Sequence, residues 1–422
     1  MRNYFRKLSV VTILPLAFWL YGCGQQPSAP PAQESGQGKA STASESAKPA
    51  ADKKPLLIAV AGPFTGDSSE FGAQIKMAVE LATEELNAKG GVNGRPVQLM
   101  MEDDAGNPAE AQNVATKIAS NPDVLAVIGH FNSSCSLAAK GAYTEAKMVM
   151  FSPASTNVNV TKNSDYVFRN IFTDDFQGQS LARYAGEILG AKKVAILFDN
   201  DDYGRGLKES FKKKAATLGI SILNETAYGK DTNDFRSQLT TIQGYQPELI
   251  LVAGLYKHAA VIAKQARELG INTPLIGGDG VFSEQFITLA GPAAEGTYVS
   301  CPFLFELGGE RAKQFAEKFR AKYNREPDAW AALSYDAFQL IIKAIEAKGP
   351  SREGIHEYLK SINSPATAYD GLTGKTFFDE EGDCRKPVQM AVVKGGRFVA
   401  AEKQLGVEEE AKPQSSDAQT TK

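Results

Sequence analysis

The sequence predicts an α/β fold made of two open lobes, each a parallel sheet with helices on both faces. Three observations predict it. Short apolar runs alternate with amphipathic runs of helical period from about residue 56 to residue 276. The alternation plays out once, through residue 151, and then starts again. The stretch over residues 55–401 is also long enough to bury two separate hydrophobic cores.

In the first lobe, residues 56–61 read as an apolar strand. Residues 72–88 carry Ile75, Ala78, Val79, Ala82 and Leu86 at helical spacing. Residues 97–101 form the next strand. Asn107-Pro108-Ala109-Glu110 then supplies a cap, a first-turn proline and a glutamate three residues after the cap, which together start a helix. Strand 124–128 leads through the turn Gly129-His130-Phe131-Asn132-Ser133-Ser134-Cys135-Ser136 into a helix over 137–146, followed by a strand at 149–151. This βαβαβαβ run is the pattern of a parallel sheet. In the second lobe, helices over 177–189, 204–218, 235–242 and 257–269 alternate with strands at 193–198, 220–223, 249–252 and 274–276.

The ends of the chain differ in character. Arg2, Arg6 and Lys7 precede an apolar run over 8–20 that is too short to span a membrane, so residues 1–22 read as an export signal. Leu20-Tyr21-Gly22-Cys23 resembles the bacterial lipobox, in which the cysteine is lipidated and becomes the mature N-terminus. Tyr21 departs from the small residue usual there, and an ordinary secretory signal with a chance cysteine stays open. Residues 23–54 and 402–422 are rich in Pro, Ala, Ser, Gln and Lys, with too little apolar surface to offset chain entropy. They are expected to be a disordered tether and tail. The expected location is extracytoplasmic, anchored to a membrane through Cys23, inner or outer.

The formal net charge of −3 and the absence of a basic stripe argue against nucleic acid. After Cys23, the spacing of Cys135, Cys301 and Cys384 fits no metal motif. Neither a metal nor a cofactor is expected. No HExxH, G-x-S-x-G or nucleophile–base pair stands out, so the chain reads as a non-enzyme. Gly371-Leu372-Thr373-Gly374-Lys375-Thr376 suggests a phosphate loop, but Tyr369 stands where its first glycine belongs.

Ligands of open parallel sheets bind beyond the carboxyl ends of the strands. In the first lobe those positions are the loop 62–71, the turn 131–136 and Ser152-Pro153-Ala154-Ser155-Thr156. In the second they are 199–203, Gly254-Leu255-Tyr256 and Gly277-Gly278-Asp279-Gly280. The first set offers hydroxyls and a helix N-terminus, which suit an anion. The second offers Asp279, which suits a cation. An α-amino acid satisfies both. Taken singly, Ser133 serves equally as a helix cap and Asp279 as a turn residue, while Tyr203 and Phe131 serve equally as packing. His130 reads as structural, and His258 and His356 as surface or helix residues.

With Ala61-Gly62-Pro63, Gly90-Gly91-Val92-Asn93-Gly94-Arg95, Gly129-His130, Ser152-Pro153-Ala154, Tyr203-Gly204 and Gly277-Gly278-Asp279-Gly280 in order, residues 55–397 resemble the branched-chain amino-acid binding proteins of bacterial ABC importers. Those are type I periplasmic binding proteins, with two doubly wound lobes joined by a three-strand hinge. The resemblance implies crossovers near Asp174, Cys301 and Cys384. It divides the chain into residues 55–173 plus 303–383 and residues 174–302 plus 384–401.

The resemblance also implies that Ser133 and Thr156, with backbone N–H groups of the Ser155 turn, hold a ligand carboxylate. The Ala154 carbonyl and Asp279 would hold the ammonium; the family usually has glutamate at the Asp279 position. Tyr203 and Tyr256 would close over the ligand, and Phe71 and Phe131 would line an apolar side-chain pocket. Cys301 and Cys384 would fall on neighbouring hinge strands, and a disulfide between them is expected to stiffen the hinge. The implied partners are a small amino acid and a membrane permease, with the chain a monomer. The same fold could instead take an amide, urea or aromatic acid, or act as a sensor for a partner protein.

Overall fold

Apolar runs of five to seven residues bounded by polar loops become the central strands of two sheets. The computed structural model describes residues 54–405. The export signal over 1–22, the lipobox cysteine Cys23, the tether up to residue 53 and the tail from residue 406 lie outside the described residues.

The first sheet holds β1 (Leu56–Gly62), β2 (Val97–Asp103), β3 (Val124–Ile128), β4 (Val149–Ser152) and β5 (Val167–Arg169), in the order β2-β1-β3-β4-β5. Every pair in it is parallel. Its helices are α1 (Ser69–Ala88), α2 (Pro108–Ala119) and α3 (Ser133–Glu145). α1 buries Phe71, Ile75, Ala78, Val79 and Ala82 along one stripe and leaves Lys76 and Glu84 exposed. At the start of α2, Asn107 Oδ1 accepts the Ala109 N–H at 2.9 Å, with Pro108 directly after it, as its sequence predicts.

The chain then crosses to α4 (Asp174–Arg183), β6 (Lys193–Asp199), α5 (Asp202–Thr217), β7 (Ser221–Tyr228), α6 (Arg236–Tyr245), β8 (Leu249–Ala253), α7 (Tyr256–Glu268), β9 (Leu275–Gly277), α8 (Glu284–Ala290) and β10 (Tyr298–Cys301). It returns to the first lobe as α9 (Gly309–Tyr323), α10 (Ala329–Lys348) and α11 (Arg352–Ser361). α10 packs on α1, and α11 packs on β3 and β4. α10 is apolar nearly all round and is correspondingly buried. A small hairpin, β11 (Tyr369–Gly371) and β12 (Gly374–Thr376), precedes a final crossing to β13 (Gln389–Val393) and β14 (Phe398–Ala400). These two complete the second sheet, β14-β13-β10-β9-β8-β6-β7, as an antiparallel edge. Among the described residues no helix is long and apolar enough to cross a membrane.

Four expectations change. Cys301 and Cys384 are not bonded to each other: all three described cysteines are buried free thiols. The Cys301 thiol points at the Gln389 carbonyl and the Cys384 thiol at the Ile171 carbonyl, so each sits in a different backbone environment. Burial pushes the Cys384 thiol up to about 12, away from reactivity. The tail begins later than residue 402. The Gln404 amide accepts the Met390 N–H at 2.8 Å and donates to the Met390 carbonyl at 2.6 Å, tying the chain to β13, and Leu405 is buried. α4 starts three residues earlier than its periodicity suggests, because the Thr173 hydroxyl caps it by accepting the Phe176 N–H. His258 lies on α7 as expected but is buried, against Tyr228 and Phe235.

The 371–376 segment is a hairpin turn whose N–H groups are already occupied. Asp336 accepts from Leu372 N, Thr373 N and the Thr373 hydroxyl at 2.6–2.8 Å, which leaves no cradle for phosphate.

The thiol assignment is checked by denaturing the unreduced protein in iodoacetamide and mapping it by mass. Cys135, Cys301 and Cys384 should each carry one carbamidomethyl group. A Cys301–Cys384 cross-linked peptide would contradict the structure.

Candidate functional site

β3 ends at Ile128 and the chain turns sharply before α3. Gly129 has φ +140°, and a Cβ there would stand 2.0 Å from the Ala61 carbonyl, so the turn needs glycine. His130 is fully buried, with Nδ1 2.6 Å from Asp104 Oδ2 and Nε2 3.1 Å from the Tyr143 hydroxyl, and it serves the scaffold. Ser133 is the first helical residue and not the cap, and α3 begins four residues before its apolar run. The Ser136 N–H bonds back to Asn132 O, so the N–H groups of Ser133, Ser134 and Cys135 precede the helical ladder at the positive end of the dipole. The Ser133 hydroxyl accepts the Asn157 N–H at 3.2 Å, tying this turn to the loop after β4.

That loop is braced from behind by a residue the sequence reading missed. Arg169, fully buried, donates from Nη1 to the carbonyls of Ser155 (2.8 Å) and Asn157 (3.0 Å) and from Nη2 to the Thr161 hydroxyl. Its Nε meets Asp383 Oδ1 at 2.6 Å. The Ser155 hydroxyl is spent on Phe131 O and Ser136 Oγ. Ser155 therefore shapes the loop and does not face the cleft.

In the second lobe, Asp279 follows β9 and is buried. Its Oδ1 accepts the Tyr203 hydroxyl at 2.7 Å, and that hydroxyl in turn accepts the Gly280 N–H at 3.1 Å. Burial raises Asp279 to about 6 against the pull of its hydrogen bonds from Gln177, Tyr203 and Gly280. Asp201 caps α5 by accepting the Gly204 N–H at 2.7 Å, and burial, with Asp199 adding to it, raises it to about 7. Asp174 is the second residue missed. It is buried, its N–H donates to Thr156 O at 2.7 Å, and the Thr156 hydroxyl only partly offsets the burial of its carboxylate. Burial pushes it far up, and Asp279 and Asp201 nearby push it further.

The lobes stand closed. The Ser134 hydroxyl donates to Asp202 at 2.6 Å, Asn157 Nδ2 donates to Asp202 O at 2.7 Å, and the Tyr256 hydroxyl donates to Asp67 O at 2.9 Å, beside the Lys257–Asp67 ion pair. Between them lies a cavity of about 20 Å³, roughly the room one water needs. A ligand as large as an amino acid enters only when the lobes part.

Six of the residues expected at the site line this cavity: Ser133, Ala154, Thr156, Tyr203, Asp279 and Phe131. Phe71 and Tyr256 stand one layer back. Phe71 stacks on Phe131 at 4.5 Å between centroids, and Tyr256 meets Phe71 edge-on at 5.2 Å. Asn132, Asp201, Leu255, Gly280 and Trp330 complete the lining. Trp330 comes from the first turn of α10, far along the chain, but its place just after the capping Asp328 is a signal that could have flagged it. Among the described residues no cluster of three or more His, Cys, Asp or Glu could hold a metal ion.

A cavity between two parallel-sheet lobes, with donors on one wall and carboxylates on the other, can be compared with known proteins. The family model described as periplasmic binding protein matches residues 55–397. The chain belongs to that family. An amino acid binding protein of Pseudomonas aeruginosa is 33% identical over 339 residues, covering 78% of this chain and 87% of its own. The crystal structure of a leucine binding protein from Thermotoga maritima shares 34% identity at a TM-score of 0.79, covering 84% of this chain and 99% of the other. A branched-chain amino acid transporter substrate binding protein from Streptococcus pneumoniae, solved with isoleucine, shares 32% identity at a TM-score of 0.78, covering 83% and 99%. These relatives are named as binding proteins and not as enzymes.

Asp279 gives a stability prediction with a definite sign. A carboxyl whose folded value lies above its ordinary 3.8 holds its proton more tightly in the fold. Its contribution is therefore fully present below pH 4 and is lost as pH rises to about 6. Asp279→Asn should leave the stability of the ligand-free protein almost unchanged at pH 4 and raise it by about 2–3 kcal/mol at pH 7.5. Urea unfolding at the two pH values measures this, and an equal effect at both would exclude a raised Asp279 carboxyl in the fold.

Proposed function

We propose that this chain is the extracytoplasmic substrate-binding subunit of an ABC importer. It captures a free α-amino acid between its lobes and presents it to a membrane permease. The observation that carries the reading is the pairing of walls. The buried, under-compensated carboxylate of Asp279 stands opposite the N-terminus of α3 and the hydroxyls of Ser133 and Thr156. A zwitterion answers both. Its ammonium supplies the counter-charge that Asp279 lacks, shared with the Ala154 carbonyl, and its carboxylate takes the N–H groups of the α3 turn and the two hydroxyls.

Closure follows from the same chemistry. The carboxylate binds the first lobe and the ammonium bridges to the second, so only the closed form makes both sets of bonds, and the ligand shifts the population toward it. Tyr203 holds Asp279 from within the second lobe, while Tyr256, Lys257 and Asp202 fasten the lobes across the cleft. The leucine binding protein of Thermotoga maritima and the Streptococcus pneumoniae protein solved with isoleucine support this class of substrate. The export signal and a lipid on Cys23 would keep the chain beside its permease on the outer side of a membrane.

Calorimetry of the full chain, stripped of ligand, against a panel of amino acids tests the proposal. At least one amino acid should bind tightly. Asp279→Ala should weaken it by about 3 kcal/mol, roughly a hundredfold, because it removes one partner of a buried charged pair. Tight binding that Asp279→Ala leaves untouched would reject the ammonium assignment.

A further inference from the structure

Two buried polar atoms on the cavity wall have no partner, and neither is used by the clamp on the ligand's α-carbon. Trp330 is 1% exposed, and its indole Nε1 has no hydrogen-bond acceptor among the described residues. Asn132 Oδ1 is likewise buried without a donor, while Nδ2 of the same amide reaches the Ser68 hydroxyl only at 3.4 Å. Both residues line the cavity. Buried N–H and C=O groups are normally paired, and an orphaned one at a ligand cavity is a position where the ligand supplies the missing partner.

The surroundings hold Trp330 in place. Asp328 caps α10 by accepting the Ala331 N–H at 3.0 Å, which fixes the turn that carries the indole. The ring then meets Phe131 edge-on at 5.2 Å and Phe71 edge-on at 5.5 Å, and those two rings are stacked on each other. Within that packed wall the indole can only donate and the amide oxygen can only accept.

Resting on the amino-acid reading above, we infer that the ligand is an amino acid with a short side chain bearing a hydroxyl or carboxamide. This group accepts from Trp330 Nε1 and donates to Asn132 Oδ1. Serine, threonine and asparagine have this chemistry. Valine, leucine and isoleucine offer neither function and would bury both protein atoms unpaired. Trp330 and Asn132 are thereby specificity-determining residues.

Threonine and valine have nearly the same shape and differ in one hydroxyl, so their comparison separates the hydrogen bonds from size. The full chain, stripped of ligand, is titrated calorimetrically with threonine, valine, leucine and alanine, alongside Trp330→Phe and Asn132→Ala. Threonine should bind at least about tenfold more tightly than valine, as expected for a site built around a substrate hydroxyl. Trp330→Phe should abolish that preference, read as a Thr/Val affinity ratio that falls to about one. A cooperative urea unfolding transition shows that each variant is folded, and the Thr/Val ratio in Asn132→Ala gives a second reading of the same preference. Valine or leucine binding as tightly as threonine, with the ratio unmoved in the variants, would overturn the inference and leave the amino-acid reading standing. Binding of none of the four, with no other amino acid binding either, would overturn that reading and the inference with it.

Discussion

A carboxylate taken out of water without a counter-charge is among the least stable arrangements a protein can hold, and two are buried where these lobes meet, Asp279 in the cavity and Asp174 outside its lining. Asp279 is partly relieved by the Tyr203 hydroxyl and the Gly280 backbone. Asp174 has little besides the Thr156 hydroxyl to set against its burial. Their placement depends on the second sheet, whose strands end at this point, and on α4, which carries Asp174 into the junction between lobes. Closing the lobes completes the burial. Closure and the arrival of a positive charge are therefore coupled: the cation relieves what closure imposes.

The opposite wall is built to need no charge of its own. The α3 N-terminus has no acidic residue in its first turn, and its N–H groups stand beside the hydroxyls of Ser133 and Thr156. The Arg169 guanidinium is absent from the cavity lining and spends its donors on the carbonyls of Ser155 and Asn157. Its role is to hold the loop that carries Thr156 in one shape, and Asp383, near the last crossing between lobes, holds Arg169. Neutral donors on a rigid turn can take an anion without the reorganisation that a flexible lysine would require. The two walls thus differ in kind, and the ligand's orientation follows from that difference.

Much of this was legible because it is local. Strand runs of five to seven apolar residues, the Asn107-Pro108 cap and the restart of the alternation are set by nearest-neighbour chemistry. Asp279, Thr156 and Tyr203 could be placed because a parallel sheet delivers its loops to one end. Ser155, Phe71 and Tyr256 follow the same rule, yet they stand one layer behind the cavity. Which side chain of a loop points inward depends on what packs behind it, here Ser136, Trp330 and Asp67. The start of α3 was misjudged because three serines and a cysteine carry no apolar period.

By itself, then, the sequence determined the two-lobe α/β architecture, the end of the sheets at which a ligand binds and the opposite characters of the two walls. These follow from periodicity and chain direction. The tertiary structure decided the free state of Cys301 and Cys384, the docking of Gln404, the burial of Asp174 and the entry of Trp330 from α10 into a cleft otherwise built by earlier segments. Each of these turns on a contact between residues far apart in the chain. Periodicity records which face of an element is buried, and only packing in three dimensions records against what.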